Sequence, residues 1–245
     1  MSRKKKPEYI TKQLSDNIYM VALAVNTAPV NRIDRSKKII TSGAKNDFFS
    51  YLIDLHSNST VHGAIVNGKA RYLSGIKIKP KEPNPTAEEW LKKANDKESF
   101  YEYLQKMDMD EVLSGNEYAL VHPNVIGTPI EFHHLGFAMC RVTECKTMVA
   151  YSEDWTDTMR FPITHYPIWK EGITESAIMV WKRYSPVAKK LDGVYGKPEW
   201  IQCLLDVDTE CELSTNFNSL VKNNWSVGTI VTIFSGKIPK DKQDA

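Results

Sequence analysis

The stretch YSPVAKKLDGVYGKPEW, residues 184–200, separates two different patterns in the chain. The residues before it, AIMVWKRY, are typical of a strand, which Pro186 ends because proline has no backbone N–H for a β-ladder. After it, Pro198 can occupy the first turn of a helix, and apolar residues then recur at helical spacing. Glycines such as Gly196 permit a tight turn between the two patterns. We therefore predict a hinge loop at residues 186–197.

The lysines of this loop are Lys189, Lys190 and Lys197, and only Asp192 opposes them. Lysines close to the start of a helix can bind phosphate. A lysine-rich loop can equally be no more than a solvated surface. Both interpretations stay open from these residues alone.

The composition is that of a folded globular protein, with 245 residues, 42% hydrophobic and 25% charged. The net charge of +2 excludes a strongly basic nucleic-acid binder, so any such contact would come from local patches. The four cysteines have the spacings C-x4-C and C-x7-C, which fit neither a zinc knuckle nor a redox pair, so we expect free thiols. No signal peptide and no apolar run of about 20 residues are present, which favours a cytosolic protein without a membrane contact.

Helical patterns come first and period-two patterns follow, which predicts an α+β fold. We expect N-terminal helices, then a mostly antiparallel, meandering sheet, then one long helix and a short terminal strand. The segment FAMCRVT is expected to form one strand of the sheet. Thr60 is the expected cap of one helix, and Thr86 with Glu89 forms a capping box for another. The expected organisation is a flexible arm and N-terminal segment at 1–45, an α+β domain at 46–185, the hinge at 186–197, the long helix at 198–227, and a strand and tail at 228–245.

Motifs for common enzyme chemistry are missing from the sequence: there is no GxxxxGK[ST], no GxGxxG after a strand, and no GxSxG. His133 and His134 are the best acid–base or metal candidates, but neighbours on a strand point to opposite faces. Four carboxylates, Asp206, Asp208, Glu210 and Glu212, spread around the predicted long helix and favour an acidic surface over a metal site. We predict no catalytic site, no metal and no cofactor.

Four segments in order, within residues 46–241, resemble the portal protein of tailed double-stranded DNA bacteriophages. They are STVHGAIVNGKARYLSG, DMDEVLSGNEYALVHPNVIGTPIEFHHLGFAMCRV, VWKRYSPVAKKLDGVYGKPEWIQCL and FNSLVKNNWSVGTIVTIFSGKIPKD. The positions that carry the likeness are Gly75, Gly115, Asn116, Tyr184, Ser185, Pro186, Tyr195, Gly196, Pro198, Gly236 and Pro239.

The resemblance implies a structural subunit without enzymatic activity. Portal proteins form a ring, usually of twelve subunits, at one capsid vertex. Double-stranded DNA passes through the ring during packaging and ejection, and the ring contacts it without sequence specificity. The implied partners are further copies of the chain, the terminase that hydrolyses ATP, capsid and scaffold proteins, and head–tail connector proteins. The implied location is the portal vertex of the virion, with assembly in the cytoplasm of the host bacterium. The gene can belong to a prophage.

On this likeness the domain at 46–185 corresponds to the portal wing, the helix at 198–227 to the stem, and residues 228–245 to the approach to the clip. The acidic residues of the stem helix would repel DNA phosphates, and Lys189, Lys190 and Lys197 would contact DNA or a neighbouring subunit. Family members continue with a clip, a second stem helix and a crown. The sequence therefore implies a truncated chain, one half of a split gene product, or a relic.

Two other functions remain from the sequence. One is an interaction or adaptor module that keeps only the wing and binds another virion or host protein. The other is a hydrolase that uses His133 or His134. The mass of the protein in solution separates the first from a ring, and loss of an activity in His133→Ala would be needed to support the second.

Overall fold

The computed structural model describes residues 9–15, 18–23, 30–76, 78–186 and 190–222. In chain order its elements are β1 (Tyr9–Ser15), β2 (Ile18–Leu23), β3 (Ile33–Asp34), β4 (Ile39–Ile40), α1 (Phe48–Asn58), α2 (Thr60–Ser74), α3 (Pro85–Lys92), α4 (Phe100–Ser114), β5 (Asn116–Pro123), β6 (Pro129–Leu135), β7 (Cys140–Val142), β8 (Met148–Tyr151), β9 (Thr164–Pro167), β10 (Ala177–Lys182) and α5 (Leu204–Lys222). The fold is α+β, as predicted. The predicted terminal strand, with Gly236 and Pro239, lies outside the described residues.

Helices α1, α2 and α4 pack against one another beside the strands. The buried side chains of α1 are Phe49, Leu52 and Leu55, which recur at a spacing of three and so lie along one face. Helix α4 begins with a capping box of Ser99 and Glu102. It ends at Gly115, whose φ of 71° is the left-handed conformation that glycine adopts without steric cost.

Two of the predicted helix caps are wrong by one or two residues. Ser59, not Thr60, caps α2, and its hydroxyl accepts a hydrogen bond from the His62 N–H at 3.0 Å. Helix α3 begins at Pro85, and the Asn84 side chain caps it in place of the predicted box at Thr86. In the second case proline sets the first helical turn earlier, because its fixed φ is already helical.

The main strands form two three-stranded antiparallel sheets rather than one meander. The first has the order β10-β5-β6 and the second the order β7-β8-β9. The predicted strand FAMCRVT is interrupted: residues Phe137–Met139 form a 3-10 helix, and only Cys140–Val142 pair as a strand. The Phe137 N–H turns away from the sheet to donate to the buried Asp110 carboxylate at 3.0 Å, which explains the break. Strand β9 was not predicted.

The β1–β2 hairpin and the β3–β4 hairpin both lie in the segment predicted as a flexible arm and N-terminal segment. The second hairpin is joined to the body, since Ile39 forms an isolated antiparallel bridge with Thr143. Ile39 and Ile40 are fully buried. Strand β4 is therefore part of the packed structure.

The helix predicted at 198–227 has two parts as far as residue 222, and residues 223–227 lie outside the described residues. A 3-10 helix covers Glu199–Cys203, and α5 follows with 19 residues, a length of about 28 Å. Pro198 lies just before the 3-10 helix with an extended ψ of 154°. The indole N–H of Trp200 donates to the Val112 carbonyl at 3.2 Å, which holds the first turns of this region against the end of α4.

The principal core lies between the three packed helices and the two sheets. Its largest members include Phe49, Leu52, Tyr118, Ile178 and Tyr195. A smaller core of Ala94, Tyr103, Met107 and Ala119 lies between α4 and the first sheet. All four cysteines are free thiols, as predicted. Among the described helices, none combines the length and apolar character that crossing a membrane requires.

Candidate functional site

The candidate site is the junction between the end of α4, the end of β10 and the residues before α5. Two glycines let backbones touch there. A Cβ atom on Gly196 would lie 2.0 Å from the Gly115 carbonyl oxygen and 2.9 Å from the Arg183 nitrogen, and one on Gly115 would lie 2.7 Å from the Lys197 carbonyl. No side chain fits at either position, so this contact requires glycine on both sides.

The buried side chain of Asn116 joins the two backbones. Its Nδ2 donates to the Ser114 carbonyl at 2.9 Å and to the Gly196 carbonyl at 3.2 Å, while its Oδ1 accepts from the Gly196 N–H at 2.7 Å. The amide thus satisfies both polar groups of a residue 80 positions away. Asn116 therefore fixes the register of the junction.

Tyr195 anchors the same segment to the other side of the core. Its hydroxyl donates to the Ile40 carbonyl at 2.5 Å and accepts from the Val142 N–H at 3.1 Å. The ring packs edge-on against Phe49, with 5.2 Å between centroids. Burial raises the pKa of Tyr195 to about 12, so the hydroxyl stays protonated and can serve both partners.

An ion-pair network surrounds the junction, and the sequence did not indicate it. Arg183, just after β10, pairs with Glu111 of α4 through its Nε at 2.8 Å and with Glu199 of the 3-10 helix. Glu199 also pairs with Lys69 of α2. These partners lie far apart in the chain, and no local spacing could have revealed them.

The structure brings five of the predicted motif residues together at this junction: Gly115, Asn116, Tyr195, Gly196 and Pro198. The others lie elsewhere. Tyr184 is 88% exposed, Ser185 is half-buried and Pro186 is exposed, all on the chain that leaves β10. Gly75 ends α2 with an ordinary helical φ of −69°.

The segment predicted as a hinge is anchored over its second half. The Asn31 side chain donates to the Leu191 carbonyl at 3.1 Å, and the Lys182 ammonium donates to the Gly193 carbonyl at 2.6 Å. Among the predicted lysines, Lys190 is exposed and Lys197 is half-buried. Lys189 lies outside the described residues.

The four predicted carboxylates of α5 divide into two pairs. Asp206 and Glu212 are exposed. Glu210 accepts hydrogen bonds from the Ser59 hydroxyl and from the Thr60 hydroxyl, the latter at 3.4 Å, and so ties α5 to the start of α2. Asp208 lies beside Tyr51, where burial and this carboxylate together raise the pKa of the Tyr51 hydroxyl to about 12. Two of the four therefore face the body of the protein.

The second half of α5 extends past this contact and carries an uncovered apolar face. Leu213, Phe217 and Val221 are each 51–55% exposed and recur every four residues. At 100° per residue, Leu213 lies about 180° round the helix from Leu204, which is buried against the body. Among the described residues, none of these three side chains belongs to the core or packs against it.

The histidines predicted as acid–base candidates are held apart on opposite faces of β6. The Nε2 atom of His134 lies 2.9 Å from the buried carboxylate of Asp110, and that of His133 lies 3.6 Å from the Glu131 carboxylate. Burial raises the pKa of Asp110, although its bonds from His134 and the Phe137 N–H lower it in part. In the described part of the chain, no three His, Cys, Asp or Glu side chains are placed to hold a metal ion.

Comparison with solved structures found several chains that share the fold. A chain in the neck of an empty gene transfer agent particle, computed with C6 symmetry, matches 71% of this chain with a TM-score of 0.56 and 15% identity, over 46% of its own length. A chain in the virion of a native particle gives the same values over 45% of its length. A chain in the neck of the native particle, computed with C12 symmetry, matches 79% of this chain with a TM-score of 0.54 and 13% identity, over 52% of its length.

No protein-family model and no curated protein matches the sequence. The chain spans about half the length of the solved chains that it matches. At these identities the likeness concerns the fold, which this chain shares with chains of the neck and virion of gene transfer agent particles.

Proposed function

We propose that this chain is a portal protein or the N-terminal portion of one, a structural subunit that forms a ring around a DNA conduit at a capsid vertex. The observation that carries the proposal is the fold, which over 71–79% of the chain matches chains from symmetric neck and virion reconstructions. The order of the portal-like sequence segments supports it independently. The same proposal makes the protein a non-enzymatic subunit, present in the host cytoplasm during assembly.

The second half of α5 is the surface that supports self-association. A cyclic ring places the same helix of a neighbouring copy beside each subunit, and interfaces between copies bury apolar surface of this kind. Leu213, Phe217 and Val221 are then covered by the neighbour. Residues 46–185 form the wing outside the ring of helices.

The channel chemistry of the proposal rests on the carboxylates that remain exposed. Glu212 can face DNA and repel its phosphates. Asp206 lies on the same side of α5 as Leu213 and can face DNA or the neighbouring copy. Asp208 and Glu210 are engaged with α1 and α2. Terminase, capsid and scaffold proteins and head–tail connector proteins are the further partners that this role requires.

The adaptor module is the second candidate, and one observation favours it. The wing residues and the start of α5 form a closed body around their own core, held by the junction at Gly196. Such a body can fold without a ring. In that case the apolar face of α5 binds a different protein.

The test is the mass of the purified chain by light scattering and native mass spectrometry. We expect a closed ring of about twelve copies, the number that the portal resemblance implies and the rotational order of one matched neck reconstruction, and dissociation to monomers in the double variant Leu213→Glu, Phe217→Glu. The variant Ser219→Glu is the matched control, since Ser219 is exposed on the same helix and lies about 160° round it from Phe217. A wild-type chain that stays monomeric at high concentration would favour the adaptor.

A further inference from the structure

A cleft of about 550 Å³ lies where the β3–β4 hairpin meets the start of α1 and the end of β7. Six charged side chains line it: Arg32, Lys37, Lys45 and Arg141 are cationic, and Asp34 and Asp47 are anionic. The lining therefore carries an excess of two positive charges.

Arg141 is the unusual member of this set, because it is only 1% exposed. Its Nη1 donates to the carbonyls of Ala138 and Cys140, both at 2.8 Å. Its Nε donates to Asn46 Oδ1 at 2.5 Å, and Nη2 reaches the Asn46 carbonyl at 3.4 Å. Every acceptor is neutral, and one of the five guanidinium N–H donors, on Nη2, has no acceptor among the described residues.

The guanidinium charge itself is not matched. Among the described residues, no carboxylate lies within ion-pair distance of Arg141. Burial lowers the pKa of Arg141, and the groups that oppose this effect, Tyr195, Tyr118 and Cys140, are neutral because burial raises their own pKa values. A buried charge without a counter-charge is costly. Only carbonyl dipoles and the rings of Phe49 and Trp155, at 4.9 and 5.2 Å, offset it.

The start of α1 opens into the same cleft. Backbone N–H groups of a first helical turn have no partner within the helix and carry partial positive charge. The Asp47 side chain, at the N-cap, makes no hydrogen bond to them. Ser50 of this turn lines the cleft beside Lys45. The Phe48 N–H is paired with the Ser42 carbonyl at 3.1 Å and the Tyr51 N–H with the Asp47 carbonyl at 2.9 Å, whereas the N–H groups of Phe49 and Ser50 have no acceptor among the described residues.

The two acidic residues of the cleft do not neutralise Arg141. Asp34 is engaged in its own turn, where it accepts from the Ser36 hydroxyl at 2.6 Å and the Ser36 N–H at 2.9 Å. Asp47 is exposed. A ligand of opposite charge is what the inner end of the cleft lacks.

We propose that this cleft binds one small oxyanion of the size and charge of phosphate, between the Arg141 guanidinium, the Lys45 ammonium and the first turn of α1. Arg and helix N-termini are the groups that recognise such anions in proteins. Because Arg141 is almost fully buried, the rigid backbone of a DNA duplex cannot reach it, and the ligand is a single compact group. The inference does not depend on the proposed ring.

The test is titration of the full chain with inorganic phosphate by calorimetry, at constant ionic strength against chloride. We expect saturable binding that Lys45→Ala weakens by about two- to fivefold, the effect of removing one partly exposed ion pair. Arg35→Ala is the matched control and leaves binding unchanged, because Arg35 is an exposed cation of the same hairpin that does not line the cleft. Arg141→Met, which keeps the length of the side chain without its charge, abolishes binding.

Circular dichroism shows whether Arg141→Met keeps its fold. If this variant does not fold, the phosphate affinities of Lys45→Ala and Arg35→Ala decide whether the cleft is the binding site. The proposal is overturned if phosphate gives no more heat than chloride. It is also overturned if Lys45→Ala and the control Arg35→Ala weaken phosphate binding equally. It is also overturned if a short DNA duplex displaces phosphate from the wild type, since the site would then be an open phosphodiester surface.

Discussion

At the scale of single residues, the contact between Gly115 and Gly196 is the most restrictive feature of the molecule. The sequence indicated a turn at Gly196, because glycine permits tight turns, and it included Gly115 among the positions of the portal likeness. It did not indicate that the two glycines meet. That information lies in the packing of α4 against the chain that follows β10, which no local pattern contains.

We expect Gly196→Ala to lower the free energy of unfolding by at least about 3 kcal/mol, because its methyl group would overlap the Gly115 carbonyl and the backbone cannot yield cheaply. Chemical denaturation measures this. Gly68→Ala is the control: nothing lies within 4 Å of the new methyl group, and alanine in an exposed helix interior stabilises by up to about 1 kcal/mol. Equal effects in the two variants would show that the close approach carries no energy.

At the scale of elements, most helices and strands could be predicted, and their boundaries less well. The capping residues show why. Ser59 and Thr60 are both good caps, and the choice between them depends on which residue is extended in the folded chain. The break between β6 and β7 depends on the buried Asp110, whose partner Phe137 comes from another element. The local sequence thus indicated the possible caps and strand boundaries, and tertiary contacts determined which of them form.

Tyr195 joins three elements, since its hydroxyl contacts β4 and β7 from the segment before α5. We expect Tyr195→Phe to destabilise the protein by about 1–3 kcal/mol, because the Ile40 carbonyl and the Val142 N–H lose a buried partner. Thermal and urea unfolding measure the change. The control is Tyr184→Phe, which removes the same hydroxyl from an 88% exposed side chain and should have no measurable effect. A neutral Tyr195→Phe would mean that water replaces the hydroxyl.

At the scale of the whole molecule, the α+β class could be predicted because helical patterns precede period-two patterns in the sequence. The candidate site could be predicted only in part. The residues quoted for the portal likeness included five of the junction, but the ion pairs of Arg183 and the buried Arg141 were not assigned any role. Both residues lie inside the portal-like segments, but neither is among the positions that carry the likeness. Their importance comes from burial and from partners distant in the chain, and both are properties of the assembled fold.

Carboxylates of α4 and β5 give the stability of the molecule a dependence on pH. Burial, and the neighbouring Glu111, Asp108 and Asp110, raise the pKa of Glu117 to about 7, which Arg183 offsets only in part. One oxygen of Asp108 is itself buried without a partner among the described residues. The folded state therefore holds a proton on Glu117 that the unfolded chain releases near its ordinary pKa of 4.5.

It follows that Glu117 costs stability as the pH rises from about 4.5 to about 7. We expect Glu117→Gln to unfold like the wild type at pH 4.5 and to be more stable by about 1–2 kcal/mol at pH 8, after allowance for partial solvent access. Denaturation across this pH range measures the difference. The exposed Glu82→Gln serves as the control, and its free energy of unfolding should differ from that of the wild type by the same amount at every pH. An effect of Glu117→Gln that does not change with pH would contradict the prediction.

The backbone contact at Gly115 and Gly196 has a mechanical consequence. Once a pull on the far end of α5 separates that helix from α1 and α2, the tension reaches residues 190–198, where Asn116 holds both polar groups of Gly196. The two hydrogen bonds lie on one residue and are strained together rather than in succession. Force along α5 is thus borne by the short, buried side chain of Asn116 against the main chain of Gly196, a link that stretches less than one made of long, flexible side chains.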